Sequence, residues 1–447
     1  SSSPINYEQL LADFVGPYLP ALEAYLNDPK ANKNLIDDLV NHLNARTALQ
    51  LLDKLSVPSI RYLEEEIQKG LDREAALRAL ERGEIVFILF AAGEASRLAK
   101  SLVDGGIITK EEAEGPAYRM WNLNLWDVAR RIKEAQADLD KRAKLPKEIR
   151  DLTFNIPPVA YDVTLGVRHL KAYVEGVKAL LRNHGRTAVA IESAIKALKL
   201  VVTVNMQIFD DVAADLINND FFGLNPAHVM LVLNDLNYGF IIENGQFKQS
   251  IKKEHLTNYN HGFNIINANT AEFSYVYSRQ AQAFQALTDT TGYEYLRSHG
   301  ATTGIIHRNN DFIHLIPDMA VDIDAIALWL KVHQQEGANC LNEVLNNPEG
   351  QKGGLAFTTA DYGRYSFLIE GLAVKSMLVD AKMAEMNRKI AEDKSSGLQG
   401  IPYNRLYTFF DIEALEESLS KNGGVLPMSI KHKNGAISHE IPTGDMT

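Results

Sequence analysis

Cysteine is almost absent from this chain: Cys340 is the single one among 447 residues. One thiol can form neither an intramolecular disulfide nor a thiolate metal cluster, which fits a reducing compartment. The sequence also lacks an apolar run near the ~20 residues of a membrane span. Its first four residues have neither the charge nor the apolar stretch of a secretory signal. These absences favour a cytoplasmic protein without a membrane anchor.

Positive charge is also in short supply, with 46 Lys+Arg against 57 Asp+Glu and a formal net charge of −11. This balance argues against a surface that coats nucleic acid, although a local basic pocket for a phosphorylated small molecule stays open. The hydrophobic fraction of 46% is ordinary for a globular protein. At roughly 100–200 residues per domain, the length allows two or three domains, or one large core with additions.

The N-terminal part of the chain has a helical pattern. Apolar residues recur at helical spacing through residues 35–55, and residues 71–80 are rich in strong helix formers. Gly83 ends that stretch at a C-cap position. We therefore predict a helical N-terminal region over residues 1–83, followed by one α/β domain over residues 84–447. The chain starts without Met and ends without a closing element, so we expect the natural protein to continue.

The pattern changes at residues 85–90, a continuous apolar run typical of a strand that is buried on both faces of a parallel sheet. Further strands are predicted at 198–204, 229–233 and 304–307, with helices at 169–183 and 210–218 between them. This alternation favours an α/β fold. Residues 240–247 read as a hairpin that turns at Asn244 and Gly245. We expect core strands to continue as far as residue 433.

The segment after the first predicted strand is a small-residue loop over residues 91–98. Ligands of open α/β sheets bind beyond the carboxyl ends of strands, and small residues let backbone N–H groups reach a phosphate. Ser96 could add a hydroxyl, and Arg97 a planar charged group that suits phosphate oxygens. The loop lacks the glycines of a dinucleotide fingerprint and the ending of a P-loop. A tight turn with Arg97 in solvent is an equally open interpretation of the spacing.

Residues 90–98 resemble the signature loop of the sugar-1-phosphate nucleotidyltransferases, Ala/Gly-Gly-x-x-Ser/Thr-Arg-Leu after a buried strand. Four later segments resemble, in order, the UDP-sugar pyrophosphorylase branch. Residues 220–224 resemble a Phe-Gly-Leu segment before a strand, and residues 260–262 a Gly-His-Gly loop on the uracil base. Residues 308–311 resemble a strand end where an Asp-Asn pair meets metal and sugar phosphate. Residues 404–433 resemble an Asn-rich strand followed by a lysine that grips phosphates.

The resemblance implies a Rossmann-like, GT-A-like nucleotidyltransferase fold, a mixed sheet flanked by helices. The implied reaction transfers a uridylyl group from UTP to a sugar 1-phosphate, releases pyrophosphate and uses Mg²⁺. The implied site residues are Arg97 and Lys431 for catalysis; Ala92, Gly93, Glu94, Ala95, Ser96, Arg119, His261 and Gly262 for the nucleotide; Asn309, Asn310, Asn404 and Lys433 for the sugar phosphate; and Asp311 for the metal.

One departure from the family pattern concerns the Pro-Lys pair that neutralises the triphosphate. Pro116 is followed by Ala117, so Arg119 or Lys110 would have to supply the charge. A catalytically impaired protein that binds a nucleotide or a UDP-sugar is therefore an alternative. Ordinary roles also stay open: core packing for the Phe221-Phe222 pair, and solubility of an edge strand for the two lysines near the end.

A second alternative is a GT-A glycosyltransferase, in which Asp322 and Asp324 would form an Asp-x-Asp metal motif. Both residues precede a predicted helix over residues 325–335. Capping of that helix and compensation of its dipole explain the two carboxylates more simply. The sequence indicates neither which sugar is used nor the oligomeric state, and it gives residues 5–83 no role.

Overall fold

The computed structural model describes residues 6, 9, 12–13, 16–20, 51–93, 95–153, 163–234, 236–244, 246–258, 262–308, 321–350, 354–361, 366–369, 377–421, 429–433 and 436–440. Its α-helices are α1 Leu63–Lys69, α2 Arg73–Glu81, α3 Ser96–Asp104, α4 Lys110–Glu114, α5 Leu125–Ala137, α6 Leu139–Arg142, α7 Lys147–Arg150, α8 Leu165–Asn183, α9 Ala188–Ala197, α10 Phe209–Asn218, α11 Gly262–Ala268, α12 Gly292–Ser298, α13 Ile323–Glu336, α14 Met377–Glu392 and α15 Ile412–Lys421.

The strands are β1 Ile85–Phe90, β2 Lys199–Val204, β3 Val229–Leu233, β4 Leu236–Asn237, β5 Phe240–Glu243, β6 Gln246–Gln249, β7 Thr257–Asn258, β8 Ser274–Ser278, β9 Ala283–Ala286, β10 Thr303–Arg308, β11 Cys340–Leu345, β12 Leu355–Phe357, β13 Phe367–Ile369, β14 Tyr403–Asp411, β15 Ser429–Lys433 and β16 Ala436–Glu440. The predicted strands at 85–90, 198–204, 229–233 and 304–307 are confirmed. So are the helices predicted at 169–183 and 210–218 and the hairpin, whose arms are β5 and β6.

A ten-stranded mixed sheet forms the centre of the fold, in the order β13-β12-β14-β10-β1-β2-β3-β8-β9, with β11 paired to β14. The inner strands β10, β1, β2 and β3 are parallel, whereas β14 and β8 on either side of them are antiparallel. Every residue of β1 is buried. An uninterrupted apolar run fits this position because helices or other elements cover both faces of the sheet.

The two faces of β1 belong to different apolar clusters, as the alternation of strand side chains requires. Phe87 and Leu89 pack with Leu77 of α2, Leu170 of α8 and Trp329 of α13. On the other face, Ile88 and Phe90 lie in a cluster with residues of α11, α12 and α15. The sheet is therefore covered by helices on both sides, as the sequence predicted.

The end of the N-terminal helical region packs directly on the α/β core. Helix α2 buries Leu77 and Leu80 in the same cluster as β1, and Arg73 pairs with Asp324 of α13 at 2.6 Å. Gly83, at φ +65°, follows the helix and ends it as predicted. A domain boundary after residue 83 stays a prediction.

Lys199, the first residue of β2, joins two helix ends at the amino edge of the sheet. It is only 1% exposed. Its ammonium donates to the carbonyl of Gly83 at 2.5 Å and to the carbonyl of Ala197 at 3.3 Å. These carbonyls follow α2 and end α9, where backbone acceptors lack partners within the helix. Burial lowers the pKa of Lys199, although nearby Glu84 opposes this.

The strand over residues 429–433 does not extend the central sheet, so the expectation of core strands up to residue 433 was wrong. Strand β15 instead begins a separate four-stranded sheet of order β15-β16-β5-β6. Pairing decides this outcome, because β15 pairs antiparallel with β16, and β16 pairs with β5. None of the helices that the structure describes is long and apolar enough to cross a membrane.

Candidate active site

The carboxyl ends of the parallel strands meet at one edge of the sheet, because β10, β1, β2 and β3 run in the same direction. The loop predicted to bind phosphate leaves β1 at this edge and leads into α3. In open α/β sheets, ligands bind in the crevice beyond the carboxyl ends of the strands. The fold therefore puts the candidate loop where a ligand can reach it.

The loop enters α3 through a left-handed residue. Ala95 is the N-cap, with φ 48° and ψ 25°, and it offers no side-chain hydrogen bond to the helix. A left-handed conformation costs an alanine roughly 1–2 kcal/mol. An N-cap without an oxygen also leaves amide groups of the first helical turn open to another acceptor. Strain and uncapped donors together are typical of an anion-binding turn.

Two hydrogen bonds hold the carbonyl groups of this loop. Asn205, fully buried at the end of β2, donates its side-chain amide to the carbonyl of Ala92 at 3.4 Å. The backbone N–H of Met120 donates to the carbonyl of Gly93 at 3.0 Å. Because a trans peptide directs its N–H opposite to its C=O, the N–H of Gly93 points away from Asn205. These two hydrogen bonds, which we call the braces of the loop, therefore leave the backbone N–H of Gly93 directed to the side of the loop opposite Asn205.

The described residues around Gly93 leave room for a larger side chain. A Cβ built at this position would lie 3.6 Å from the Cβ of Met120, which is an ordinary van der Waals contact. The absence of a side chain here therefore relieves no clash among the described atoms. A glycine at this position also lets a ligand approach the backbone closely.

Arg119 lies beside this loop, one residue before Met120. Its Nη2 donates to the carbonyl of Glu114 at 3.1 Å, which fixes one side of the guanidinium. Its Nε is buried and has no hydrogen-bond partner within the described part of the chain. Ala117 is exposed in the preceding 3-10 turn, Pro116–Tyr118. Of Arg119 and Lys110, Arg119 is the one that adjoins Met120, whose backbone N–H donates to the loop at Gly93.

The segment that carries Arg119 is tied to α10 and α8. The indole N–H of Trp121 donates to Asp215 Oδ2 at 2.8 Å, and the Asn122 amide donates to Asp211 Oδ2 at 2.7 Å. The N–H of Gly166 donates to the Trp121 carbonyl at 3.0 Å. Burial raises the pKa of Asp215, with a smaller contribution from Asp211, whereas the Trp121 hydrogen bond opposes the rise.

Sequence reasoning missed Asn205, Trp121 and Asp215. Neither an asparagine at a strand end nor a tryptophan before a helix carries a local signal of function. Trp121 and Asp215 are 94 positions apart in the chain. Only the fold brings them together.

Two buried histidines lie beneath the same edge. His307 on β10 contacts Phe87 in a stacked geometry and Tyr407 edge-on, with ring centroids 6.0 and 4.6 Å away. Burial lowers the pKa of His307 to about 3, with help from His169 and Arg405. Burial also lowers the pKa of His169 to about 4. Both imidazoles are therefore neutral near pH 7 and supply no charge for a phosphate.

The other predicted residues are described unevenly. Glu94, His261, Asn309, Asn310 and Asp311 lie outside the described residues. Ser96 and Arg97 occupy the first turn of α3, and only their backbone is described. Gly262 begins α11, which packs against β3.

Asn404 lies near the start of β14. This strand runs antiparallel to β10, with Thr408 opposite Ile306, so its start points toward the carboxyl end of β10. Lys431 and Lys433 lie on β15, in the small sheet that also contains β5. The structure thus brings Asn404 and the braced loop to the same edge of the sheet, and it gives the two lysines a strand position only.

Asp322 and Asp324 are engaged in helix capping and an ion pair. Asp322 Oδ1 accepts from the N–H groups of Asp324 and Ala325 at 3.0 and 3.1 Å, and Asp324 pairs with Arg73. The capping interpretation is confirmed, and nothing supports the glycosyltransferase motif. In the residues that the structure describes, no group of three or more His, Cys, Asp or Glu side chains could hold a metal.

Comparison with known proteins gives no match by sequence: no protein-family model and no curated protein matches the chain. Among solved structures, UDP-N-acetylglucosamine pyrophosphorylase from Trypanosoma brucei is similar, with a TM-score of 0.52 and 12% identity over 99% of this chain and 75% of that one. The chain has a fold similar to that of UDP-sugar pyrophosphorylases.

Two further structures are similar at lower scores. UDP-glucose phosphorylase from Trypanosoma brucei has a TM-score of 0.47 and 12% identity, over 95% of this chain and 72% of that one. UDP-glucose pyrophosphorylase from Leishmania major has a TM-score of 0.46 and 11% identity, over 96% of this chain and 72% of that one. At these identities the likeness concerns the fold alone. The mixed α/β sheet flanked by helices is confirmed, and the predicted residue roles stay predictions.

Proposed function

We propose that this chain is a uridylyltransferase, which transfers a uridylyl group from UTP to a sugar 1-phosphate and releases pyrophosphate. The observation that carries the proposal is the braced loop at the carboxyl edge of β1, with its left-handed Ala95 and its uncapped entry into α3. This is the local chemistry that a triphosphate needs. The fold similarity to UDP-N-acetylglucosamine pyrophosphorylase supports the same class of reaction.

Binding of the triphosphate would combine backbone and side-chain donors. The N–H of Gly93 and the first amides of α3 would donate to phosphate oxygens, which the helix dipole also favours. Arg119 would add a guanidinium that its bond to the Glu114 carbonyl already orients. Arg97, in the first turn of α3, is the predicted second cation. His261 and Gly262 are predicted to contact the uracil base.

The chemical step needs little beyond positioning and neutralisation of charge. An oxygen of the sugar 1-phosphate attacks the α-phosphorus of UTP in line and forms a new P–O bond. The bond from the α-phosphorus to the bridging oxygen breaks, and its electron pair leaves with pyrophosphate. The attacking oxygen is already anionic, so no strong base is required. Lys431 is predicted to bridge the two reacting phosphates, and Asn309, Asn310, Asn404 and Lys433 are predicted to hold the sugar phosphate.

Mg²⁺ is the cofactor that the resemblance implies, with Asp311 as its predicted ligand. Mg²⁺ prefers carboxylate and phosphate oxygens, and it would neutralise charge on the triphosphate. No metal-binding cluster occurs among the residues described.

The test is release of pyrophosphate. The protein is incubated with UTP, Mg²⁺ and each of several sugar 1-phosphates, and pyrophosphate is assayed with a coupled enzyme. The proposal expects release that requires both UTP and one sugar phosphate, and it expects ATP, CTP and GTP to be poorer donors. Release of pyrophosphate from UTP alone, or no release with any sugar phosphate, would contradict it.

The second candidate is a protein that binds UTP or a UDP-sugar without turnover. The observation that favours it is Ala117, exposed in the turn just before Arg119, at the position where the family resemblance implies a lysine. In that case calorimetry would detect UTP binding while pyrophosphate release stays absent. Ala117→Lys would then be the decisive variant. A gain of pyrophosphate release in Ala117→Lys would mark this chain as impaired by that one substitution.

A further inference from the structure

Helix α10 carries two carboxylates that hold the segment next to the loop. Asp215 Oδ2 accepts from the Trp121 indole at 2.8 Å, and Asp211 Oδ2 accepts from the Asn122 amide at 2.7 Å. The Asn122 amide also donates to the carbonyl of Pro116 at 3.1 Å, which closes the turn before Arg119. Helix α10 follows β2 directly, so these contacts connect the segment to the centre of the sheet.

The Trp121 side chain has little freedom to move. It is fully buried. A Cβ added at Gly166 would come within 2.1 Å of its ring, so the indole lies flat against the backbone of α8. An indole N–H buried in this way needs an acceptor, and Asp215 provides it. The hydrogen bond therefore selects one orientation of the ring and one position of the backbone at residue 121.

The backbone position of Trp121 affects the loop through its neighbour in the chain. Met120 is the neighbour of Trp121, and its N–H is the donor to the Gly93 carbonyl. Arg119 is the next residue back along the chain. A shift at Trp121 would therefore alter both the brace on Gly93 and the position of the Arg119 guanidinium. Asn205, which braces Ala92, stands just before α10, so both braces of the loop start from the β2–α10 unit.

We propose that Asp215 is a positioning residue for the loop after β1: through Trp121 it fixes Met120 and thereby the conformation in which the loop meets a triphosphate. The inference rests on the proposed function of that loop for its catalytic meaning. We assign Asp215 no contact with the substrate. Its role is to hold the Gly93 N–H and the Arg119 guanidinium in the positions in which both can bind the same triphosphate.

The first test measures the rate of amide hydrogen exchange in the loop, in the absence of any substrate. Hydrogen exchange is followed by mass spectrometry in peptides that cover residues 91–99 and, as an internal control, residues 199–204. Asp215→Leu removes the acceptor and should speed exchange in the loop peptide selectively, whereas Asp215→Asn keeps an acceptor and should exchange like the wild type. Trp121→Phe keeps the ring packing but removes the donor, and it should behave like Asp215→Leu.

A control comes from a second buried tryptophan at the opposite edge of the same sheet. Trp329 donates its indole N–H to the hydroxyl Oγ1 of Thr303 at 3.0 Å, so Thr303→Val also removes the acceptor of a buried indole. This variant should lower Tm by an amount similar to Asp215→Leu and leave exchange of the loop peptide unchanged. An equal effect of both variants on the loop would mean that Asp215 acts only on stability and would overturn the proposal.

The second test compares the effect of each variant on KM for UTP with its effect on KM for the sugar phosphate. Well below the Tm of each variant, Asp215→Leu should raise KM for UTP by about 10- to 100-fold, the size of effect expected when groups shift by about 1 Å. KM for the sugar phosphate should stay near the wild-type value. In Asp215→Asn, which keeps an acceptor for the Trp121 indole, KM for UTP should also stay near the wild-type value. Unchanged loop exchange and an unchanged KM for UTP in Asp215→Leu would overturn the inference. If the wild type binds no UTP, the proposed function fails, while the exchange data still decide whether Asp215 holds the loop.

Discussion

The backbone N–H of Met120 donates a 3.0 Å hydrogen bond to the carbonyl of Gly93, and this bond joins two segments that the sequence suggested for the same ligand. One is the small-residue loop after β1, and the other follows the turn where the resemblance implies a lysine and this chain has Ala117. The hydrogen bond fixes the carbonyl of Gly93 on one side of the loop and leaves the N–H of Gly93 on the other side for a ligand. It also makes Gly93 and Arg119 the most direct places to test the site.

Gly93→Ala should fold normally and lose affinity for UTP. Its new methyl group meets only the Met120 Cβ at 3.6 Å among the described atoms, so the protein has no clash to relieve. A bound phosphate would meet that methyl group instead, and the dissociation constant for UTP should rise about tenfold or more. Calorimetric titration with UTP and a thermal melt measure the two effects.

Gly166→Ala is the matched control for this substitution. Its methyl group would come within 2.1 Å of the Trp121 ring, so the substitution overpacks the core and should destabilise the protein by about 1–3 kcal/mol. If Gly93→Ala instead lowers Tm and leaves UTP affinity unchanged, Gly93 has a structural role and the loop is not the phosphate site.

Arg119→Ala should weaken UTP binding by about 10- to 100-fold, because a hydrogen bond to a charged group contributes roughly 1.5–3 kcal/mol. Arg119→Lys should recover part of this loss, since it keeps the charge but not the planar group. Arg130→Ala serves as the control: Arg130 forms exposed ion pairs with Asp127 and Glu134 on α5. Such pairs contribute little, so equal effects at both positions would remove Arg119 from the site.

The strands that position the site could be predicted from local sequence. Six consecutive apolar residues indicate a strand buried on both faces, and β1 has the predicted bounds of 85–90. The capping interpretation of Asp322 also followed from its place before a helix. Such predictions succeed because burial, periodicity and capping act over a few residues.

The partners of the loop could not be predicted in this way. The bond from Trp121 to Asp215 spans 94 positions, and the bond from Asn205 to Ala92 spans 113. Strand β15 shows the same limit: a strand over Ser429–Lys433 forms, but its sheet is decided by pairing with β16 and not by its own residues. Tertiary packing alone determines such contacts.

Lys199→Met should destabilise the protein without affecting UTP binding. Methionine keeps the apolar stem but leaves the carbonyls of Gly83 and Ala197 without their buried donor, which should cost about 1–3 kcal/mol. Denaturant unfolding measures the loss. Lys196→Met, at an exposed residue paired with Glu192, should change stability by less than about 0.5 kcal/mol. Equal stabilities of the two variants would show that the helix ends do not need this ammonium.

Stability should fall with acid in a range set by the buried histidines. The pKa is about 3 for His307 and about 4 for His169 in the folded protein, below the value near 6.5 of an unfolded chain. Between these values the unfolded state binds more protons, so the free energy of unfolding should fall as the pH drops from about 6.5 toward 4. The loss should be about 1 kcal/mol for each histidine and pH unit.

His307→Phe should make this pH dependence shallower, since it keeps an aromatic ring beside Phe87 but removes a titrating group. Urea unfolding at a series of pH values gives the slopes. A slope unaltered by His307→Phe would mean that other groups govern the acid sensitivity.

Pyrophosphate release from UTP and a sugar 1-phosphate, compared between the wild type and Arg97→Ala, tests whether this edge of the sheet is a uridylyltransferase site. We predict release by the wild type that depends on both substrates. We predict none by Arg97→Ala, with an unchanged Tm, because that variant removes a predicted triphosphate cation from the first turn of α3. Near-normal release by Arg97→Ala, or no UTP-dependent release by wild type or Ala117→Lys, would contradict the assignment of this edge of the sheet as a uridylyltransferase site.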